Sequence, residues 1–200
     1  MNNRAPRTAD PIVLASGSPR RRQLLEMLGL TFRVDVPDID ETRRASEAPE
    51  AYVVRLARAK ASAVAARAPG EIVLGADTTV TLDGQVFEKP RTPEEAGAFL
   101  RQLSGRTHRV MTAVAVGQDA RLEDALDVTA VTFRRLSERT IADYVATGES
   151  MDKAGGYATQ GMGAALVERI DGDFFGVMGL PLRLALDLLE RFGRPYRFTR

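Results

Sequence analysis

Two hundred residues, 44 % hydrophobic and 28 % charged, fit one globular domain spanning 1–200 and exclude wholesale disorder. The formal net charge of +1 is too small to hold the whole chain on DNA or on an anionic membrane. With no cysteine and with His108 as the only histidine, disulfides, thiolate nucleophiles, cysteine zinc sites and multi-histidine metal sites are excluded. That leaves oxygen ligands, suited to Mg²⁺ or Mn²⁺, and a carboxylate as the natural general base.

Met1 to Asp10 is polar, carries Arg4 and Arg7, and reads as a flexible lead-in without the apolar stretch of a signal peptide. No window approaches the roughly 18 apolar residues of a membrane span, so a cytoplasmic location is expected. Ile12–Ala15 reads as a short buried strand. Pro19–Leu28 follows as a helix ended by Gly29, then a strand at Phe32–Val36 and a polar loop from Pro37 to Ala48. Glu50–Ala68 is an Ala-rich helix closed by Pro69-Gly70. Ile72–Ala76 is an apolar run expected to be buried on both faces. Thr78–Leu82 and Gln85–Phe87 flank Asp83-Gly84 as a hairpin. Thr92-Pro93-Glu94-Glu95 opens a helix with a cap, an N1 proline and acids in its first turn. Arg109–Val116 and Asp127–Phe133 read as strands, and Ser137–Thr147 as a helix. Ala164–Ile170 and Phe174–Met178 read as a second hairpin around Asp171-Gly172, and Leu182–Phe192 as the last helix. The expected fold is α/β: a mixed sheet flanked by helices, with a cleft between two lobes.

The first helix carries an electrostatic anomaly. Ser18 suits its N-cap and Pro19 its first position, yet Arg20, Arg21 and Arg22 then fill the first turn. A helix N-terminus already bears about half a positive charge and favours acids, as the helix at Thr92 obeys. An anion at the Ser16-Gly17-Ser18 turn resolves the conflict, because free backbone N–H groups, hydroxyls and arginine forks all suit phosphate oxygens. The ordinary alternative is a solvated basic face, preferred for Arg22 in an i, i+4 pair with Glu26. The turn lacks the GxxxxGK[ST] pattern of a Walker P-loop.

Asp77 directly follows the buried strand, where α/β sheets bind ligands; it either holds a metal or takes a proton, or simply starts a turn. Asp38, Asp40 and Glu41 form an acidic run in the polar loop. Lys60 sits among alanines in its helix, which leaves its face partly buried, and Lys89 is locked before Pro90 at a strand end. Ala154 to Val167 is free of charge and dense in glycine, which suits either close approach to a ligand or a sharp bend. Within it Gln160 carries both a donor and an acceptor able to read a base edge. His108 and Met111 read as structural.

Taken in order, Leu14-Ala15-Ser16-Gly17-Ser18-Pro19-Arg20-Arg21, Tyr52 to Lys60, Leu74-Gly75-Ala76-Asp77-Thr78, Glu88-Lys89-Pro90, Leu103 to His108 and Asp152-Lys153-Ala154-Gly155 resemble the Maf family of nucleoside triphosphate pyrophosphatases. The resemblance runs from about Ile12 to Phe192. It implies a fold like that of Maf and inosine triphosphate pyrophosphatases, and hydrolysis between the α- and β-phosphates with a divalent metal. It makes Asp77 the proton acceptor and a metal ligand with Glu41, and sets Ser16, Arg20, Arg21, Lys60 and Lys89 around the triphosphate. Thr78 and Gln160 are similar to the dTTP/UTP branch, whereas the 7-methyl-GTP branch carries a Glu near the position of Gln160. Gly156 and Ala158-Thr159 vary within that loop and leave the exact base preference open.

The partner implied is a nucleoside triphosphate, with no stable nucleic-acid complex, no membrane, and a homodimer left open. Two other readings compete. One is a triphosphate-binding regulator of cell division and septum formation that does not need turnover. The other is nucleic-acid binding through Arg20–Arg22, which the near-neutral charge and missing aromatic platforms disfavour.

Overall fold

The computed structural model describes residues 11–198. The expected lead-in, residues 1–10, lies outside them. In chain order the elements are β1 (Ile12–Ala15), α1 (Pro19–Met27), β2 (Phe32–Val34), α2 (Pro49–Ala65), β3 (Val73–Leu82), β4 (Gln85–Phe87) and α3 (Pro93–Leu103). They continue with β5 (Thr107–Gln118), β6 (Arg121–Phe133), α4 (Glu138–Ala146), β7 (Val167–Asp171), α5 (Phe174–Met178) and α6 (Leu182–Arg191). Two 3₁₀ turns, Ala154–Gly156 and Met162–Leu166, connect α4 to β7.

The strands form one mixed seven-stranded sheet in the order β2-β1-β3-β5-β6-β7, with β4 paired to the end of β3. β1 runs parallel to β2 and β3, whereas β3, β5, β6 and β7 are antiparallel neighbours. Register positions the site. β1 ends with Ala15 opposite Gly75, so β3 runs on alone past Ala76 on that side. Asp77 and Thr78 therefore emerge just beyond the carboxyl end of a parallel neighbour, where open α/β sheets bind ligands.

Side chains alternate along β3 and divide the interior. On one face, Leu74 and Ala76 join Ile12, Leu14, Leu24 and the α6 leucines, while Val80 and Leu82 join Phe87, Leu100, Val110 and Ile141. The expected cleft opens between these two cores, at Thr78. On the other face, α2 packs Val53, Ala57 and Ala61 against Met111, Ala113 and Ala115. A Cβ on Gly75 would lie 2.6 Å from Ala57 O and 2.7 Å from Ala61 N, so only glycine lets α2 lie this close to β3.

Three expectations change. Ile72–Ala76 and Thr78–Leu82 are parts of one continuous strand, β3, so Asp77 lies within it and starts no turn. Phe174–Met178 is not the second arm of a hairpin but a helix. The Asp173 side chain accepts from Gly176 N at its start, and Gly179, at φ 111°, ends it. Only Val167–Asp171 of that pair is a strand, and it pairs with β6 instead. Among the described residues Arg22 and Glu26 form no ion pair; both are exposed.

Candidate active site

A cavity of about 700 Å³ opens at the end of β1. Ser16, Arg20, Arg21, Glu41, Lys60, Asp77, Thr78, Lys89 and Gln160 all line it, whereas Arg22, Asp38 and Asp40 do not. The arginine-laden helix start and the acidic strand position share the same wall.

The centre is a buried lysine between two carboxylates. Lys60 Nζ lies 2.7 Å from Asp77 Oδ1 and 3.0 Å from Glu41 Oε1. Lys60 is 7 % and Asp77 8 % exposed. The close approach of α2 over Gly75 is what lets a side chain on α2 reach one on β3. Burial raises the Asp77 pKa above the ordinary carboxylate value, against the lowering pull of Lys60 and then Arg21. Among the described residues no hydrogen bond reaches its second oxygen, Oδ2. Asp77 is thus a strengthened base with one oxygen held and one free.

The glutamate arm is positioned by α2. Tyr52 donates its hydroxyl to Glu41 O at 3.0 Å. Arg55 forks onto Glu47 at 2.6 and 2.8 Å and also reaches Thr42 O. Hydrogen bonding from Arg55 holds the Glu47 pKa down at about 2. These contacts shape the 37–48 loop so that Glu41 meets Lys60.

The two arginines do different work. Arg21 is buried and donates to Gly179 O at 2.7 Å, Ser16 Oγ at 3.0 Å and Thr78 Oγ1 at 3.2 Å. It ties α1, β1, β3 and the α5–α6 turn together beneath the cavity. Burial lowers its pKa, opposed by Asp77. Arg20 is more exposed and pairs with Asp152 at 3.1 Å. The Ser18 hydroxyl makes no capping bond; its backbone N–H donates to Ser16 Oγ at 3.2 Å instead.

A family model for Maf-like proteins matches residues 11–192. The dTTP/UTP pyrophosphatase of Escherichia coli O6:K15:H31 (strain 536) is 52 % identical over 182 residues, covering 90 % of this chain and 92 % of the relative. That of Salmonella typhimurium is 53 % identical over the same shares. A nucleoside triphosphate pyrophosphatase of Shigella flexneri is 51 % identical, again over 182 residues. The chain belongs to the Maf family.

The Maf fold here also shows residues that sequence reading missed. Asp152, quoted only as part of a motif, holds Arg20, and Tyr52, Arg55 and Glu47 shape the Glu41 loop. An Arg-Glu pair eight residues apart, one in a loop and one in a helix, carries no periodic signal that could have found it. Lys89 and Gln160 line the cavity but are exposed, and among the described residues neither side chain makes a hydrogen bond or ion pair. His108 is structural, as expected. It is buried, its Nε2 lies 2.7 Å from the Tyr157 hydroxyl, and it packs edge-on to Phe133.

The Maf site's available ligands are oxygens only. Among the described residues no group of three or more His, Asp or Glu side chains forms a metal cage. Glu41 and Asp77 both reach Lys60 Nζ and line the open cavity, and their carboxylates suit a hard divalent cation that takes one or two carboxylates and completes its shell from phosphates and water. Among the described residues, no helix is long and apolar enough to cross a membrane.

Proposed function

We propose that this chain hydrolyses dTTP and UTP to the nucleoside monophosphate and pyrophosphate. The observation that carries the reading is the buried Asp77–Lys60 pair, met by the exposed Glu41, set in the same cavity as Arg20, Arg21 and Lys89. Phosphoryl transfer asks for positioned positive charge and a group that orients and deprotonates water, and for little covalent chemistry. The partly buried Arg20 and the exposed Lys89, both lining the cavity, bind the phosphate tail, and Arg21 frames its floor through Ser16 and Thr78. Asp77 Oδ2 takes the proton as water adds across the α–β anhydride; one P–O bond forms, the bridging P–O bond breaks, and pyrophosphate leaves. Lys60 keeps Asp77 aimed and partly ionised despite its burial.

Glu41 and Asp77 would hold Mg²⁺ or Mn²⁺, which supplies charge neutralisation of the phosphates. Gln160 reads the base. A uracil or thymine edge presents acceptors on both sides of an N–H donor, which an amide can match and a carboxylate would repel at O2 and O4.

The test is incubation with dTTP, UTP and 7-methyl-GTP in Mg²⁺ or Mn²⁺, with pyrophosphate measured. Release from dTTP and UTP is expected. No release from any of the three overturns the proposal, and orthophosphate without pyrophosphate makes the enzyme a phosphatase instead.

A further inference from the structure

The glycines at 161 and 163 invite the explanation that a ligand approaches the backbone there. The packing gives a different one. A Cβ on Gly161 would overlap Glu149 Oε1, and a Cβ on Gly163 would lie 2.5 Å from Ala158 O and 2.7 Å from the Tyr144 hydroxyl. The missing side chains make room for the loop's own backbone at Ala158 and for two side chains, Glu149 and Tyr144, neither of which lines the cavity.

Glu149 lies in the turn after α4, half-buried, and its carboxylate accepts from Met162 N at 3.1 Å and Gly163 N at 2.8 Å. Both are charge-assisted bonds onto the start of a 3₁₀ turn. Tyr144, in the last turns of α4, accepts from Ala158 N at 3.2 Å. Burial, and then the neighbouring Glu149, raise its pKa. The anchored positions are 158 on one side and 162–163 on the other. Gln160 sits midway between them, exposed on the cavity.

We infer that Glu149 and Tyr144 are positioning residues that bracket the 158–163 loop and so set where Gln160 meets the base. The inference rests on the proposed function for the identity of the base and names the groups that hold its reader in place. The side-chain bonds of the bracket, from Glu149 to Met162 and Gly163 and from Tyr144 to Ala158, go to none of the phosphate-binding residues on α1, α2, β3 and the turn after β4; the link to Arg20 runs from the Glu149 backbone carbonyl through Lys153 and Asp152, and a side-chain substitution leaves that carbonyl in place. Loosening the bracket should therefore weaken recognition of the base and leave recognition of the phosphate tail intact.

The test compares two ligands in calorimetry with Mg²⁺: α,β-methylene-UTP, which cannot be cleaved at the reacting bond, and inorganic tripolyphosphate, which has no base. In Glu149→Gln, which keeps the volume but removes the charge and presents an N–H to one of the two donors, affinity for the UTP analogue should fall by on the order of tenfold. Tripolyphosphate affinity should stay within about twofold, and the KM for UTP should rise while kcat holds. Equal losses for both ligands, or no loss for the analogue, overturn the inference. Tyr144→Phe keeps the ring in the core and should show the same pattern more weakly; it decides the matter alone if Glu149→Gln does not fold. Wild-type protein that binds both ligands but releases no pyrophosphate from UTP defeats the proposed function and leaves the bracket testable. Wild-type protein that binds the two ligands equally shows no base reading and defeats the bracket.

Discussion

The Lys60 ammonium stands 2.7 Å from the Asp77 carboxylate, both nearly sealed from solvent, and one Asp77 oxygen is left for other work. Asp77→Asn should lower turnover by about 10²–10⁴-fold, the range of a positioned base, while binding of α,β-methylene-UTP changes little. Because burial raises the Asp77 pKa, the acid limb of kcat/KM should fall above the ordinary carboxylate value. Lys60 pulls that pKa down, so Lys60→Met should move the limb to higher pH. A pH–rate profile on both proteins checks the direction.

Arg20 and Arg21 should separate by assay. Arg20→Ala removes a partly buried cation whose pairing with the exposed Asp152 is worth little to the fold, so stability should hold within about 1 kcal/mol. Its kcat/KM should drop by about 2 kcal/mol or more, the loss of a charge-assisted fork. Arg21→Lys cannot serve Gly179, Ser16 and Thr78 together and should cost about 2–4 kcal/mol of stability. Urea titration beside the pyrophosphate assay distinguishes the two.

Gly75→Ala should damage both properties at once. The added methyl meets Ala57 O and Ala61 N, so α2 must move away from β3 and carry Lys60 off Asp77. Overpacking of this kind costs about 1–3 kcal/mol. Urea unfolding with a turnover assay on the folded fraction measures both effects.

His108 gives the fold an acid sensitivity that has nothing to do with catalysis. Burial lowers its pKa from 6.5 to about 4. The folded protein therefore resists a proton that the unfolded chain accepts, so stability is lost as pH falls from 6.5 towards 4, and is complete above that window. The shift corresponds to about 3 kcal/mol. Urea midpoints at pH 7.5 and 5 should differ, and the part of that difference owed to His108 should vanish in His108→Phe.

Gln160→Glu should move preference away from UTP and dTTP, because a carboxylate faces the base's carbonyl oxygens. Ranking the three triphosphates by kcat/KM in wild type and variant checks this; an unaltered ranking removes Gln160 from base reading.

Much of this protein was legible before folding was considered. Strands and helices followed from short apolar runs, Pro and Gly punctuation and caps, as at Thr92, because those signals act within a few residues. The cationic first turn of α1 stood out because it violates a local electrostatic rule, and it lies on the cavity. The local rules failed where a tertiary partner intervened. Phe174–Met178 has a strand's composition, but Asp173 and Gly179 close it as a helix. Asp77 looked like a strand end, yet pairing with β5 from Val73 to Thr81 carries β3 straight through it.

Residue types and their order along the chain were enough to name the family and to point to residues that line one cavity. Which arginine faces solvent and which lies beneath the floor was settled only by folding, as was Lys60 becoming the bridge between Asp77 and Glu41. The roles of Glu149 and Tyr144 as the loop's anchors were settled in the same way. Such roles depend on distances between segments far apart in sequence, and those distances are set by sheet register and by a helix lying against a glycine, neither of which leaves a periodic trace in the chain.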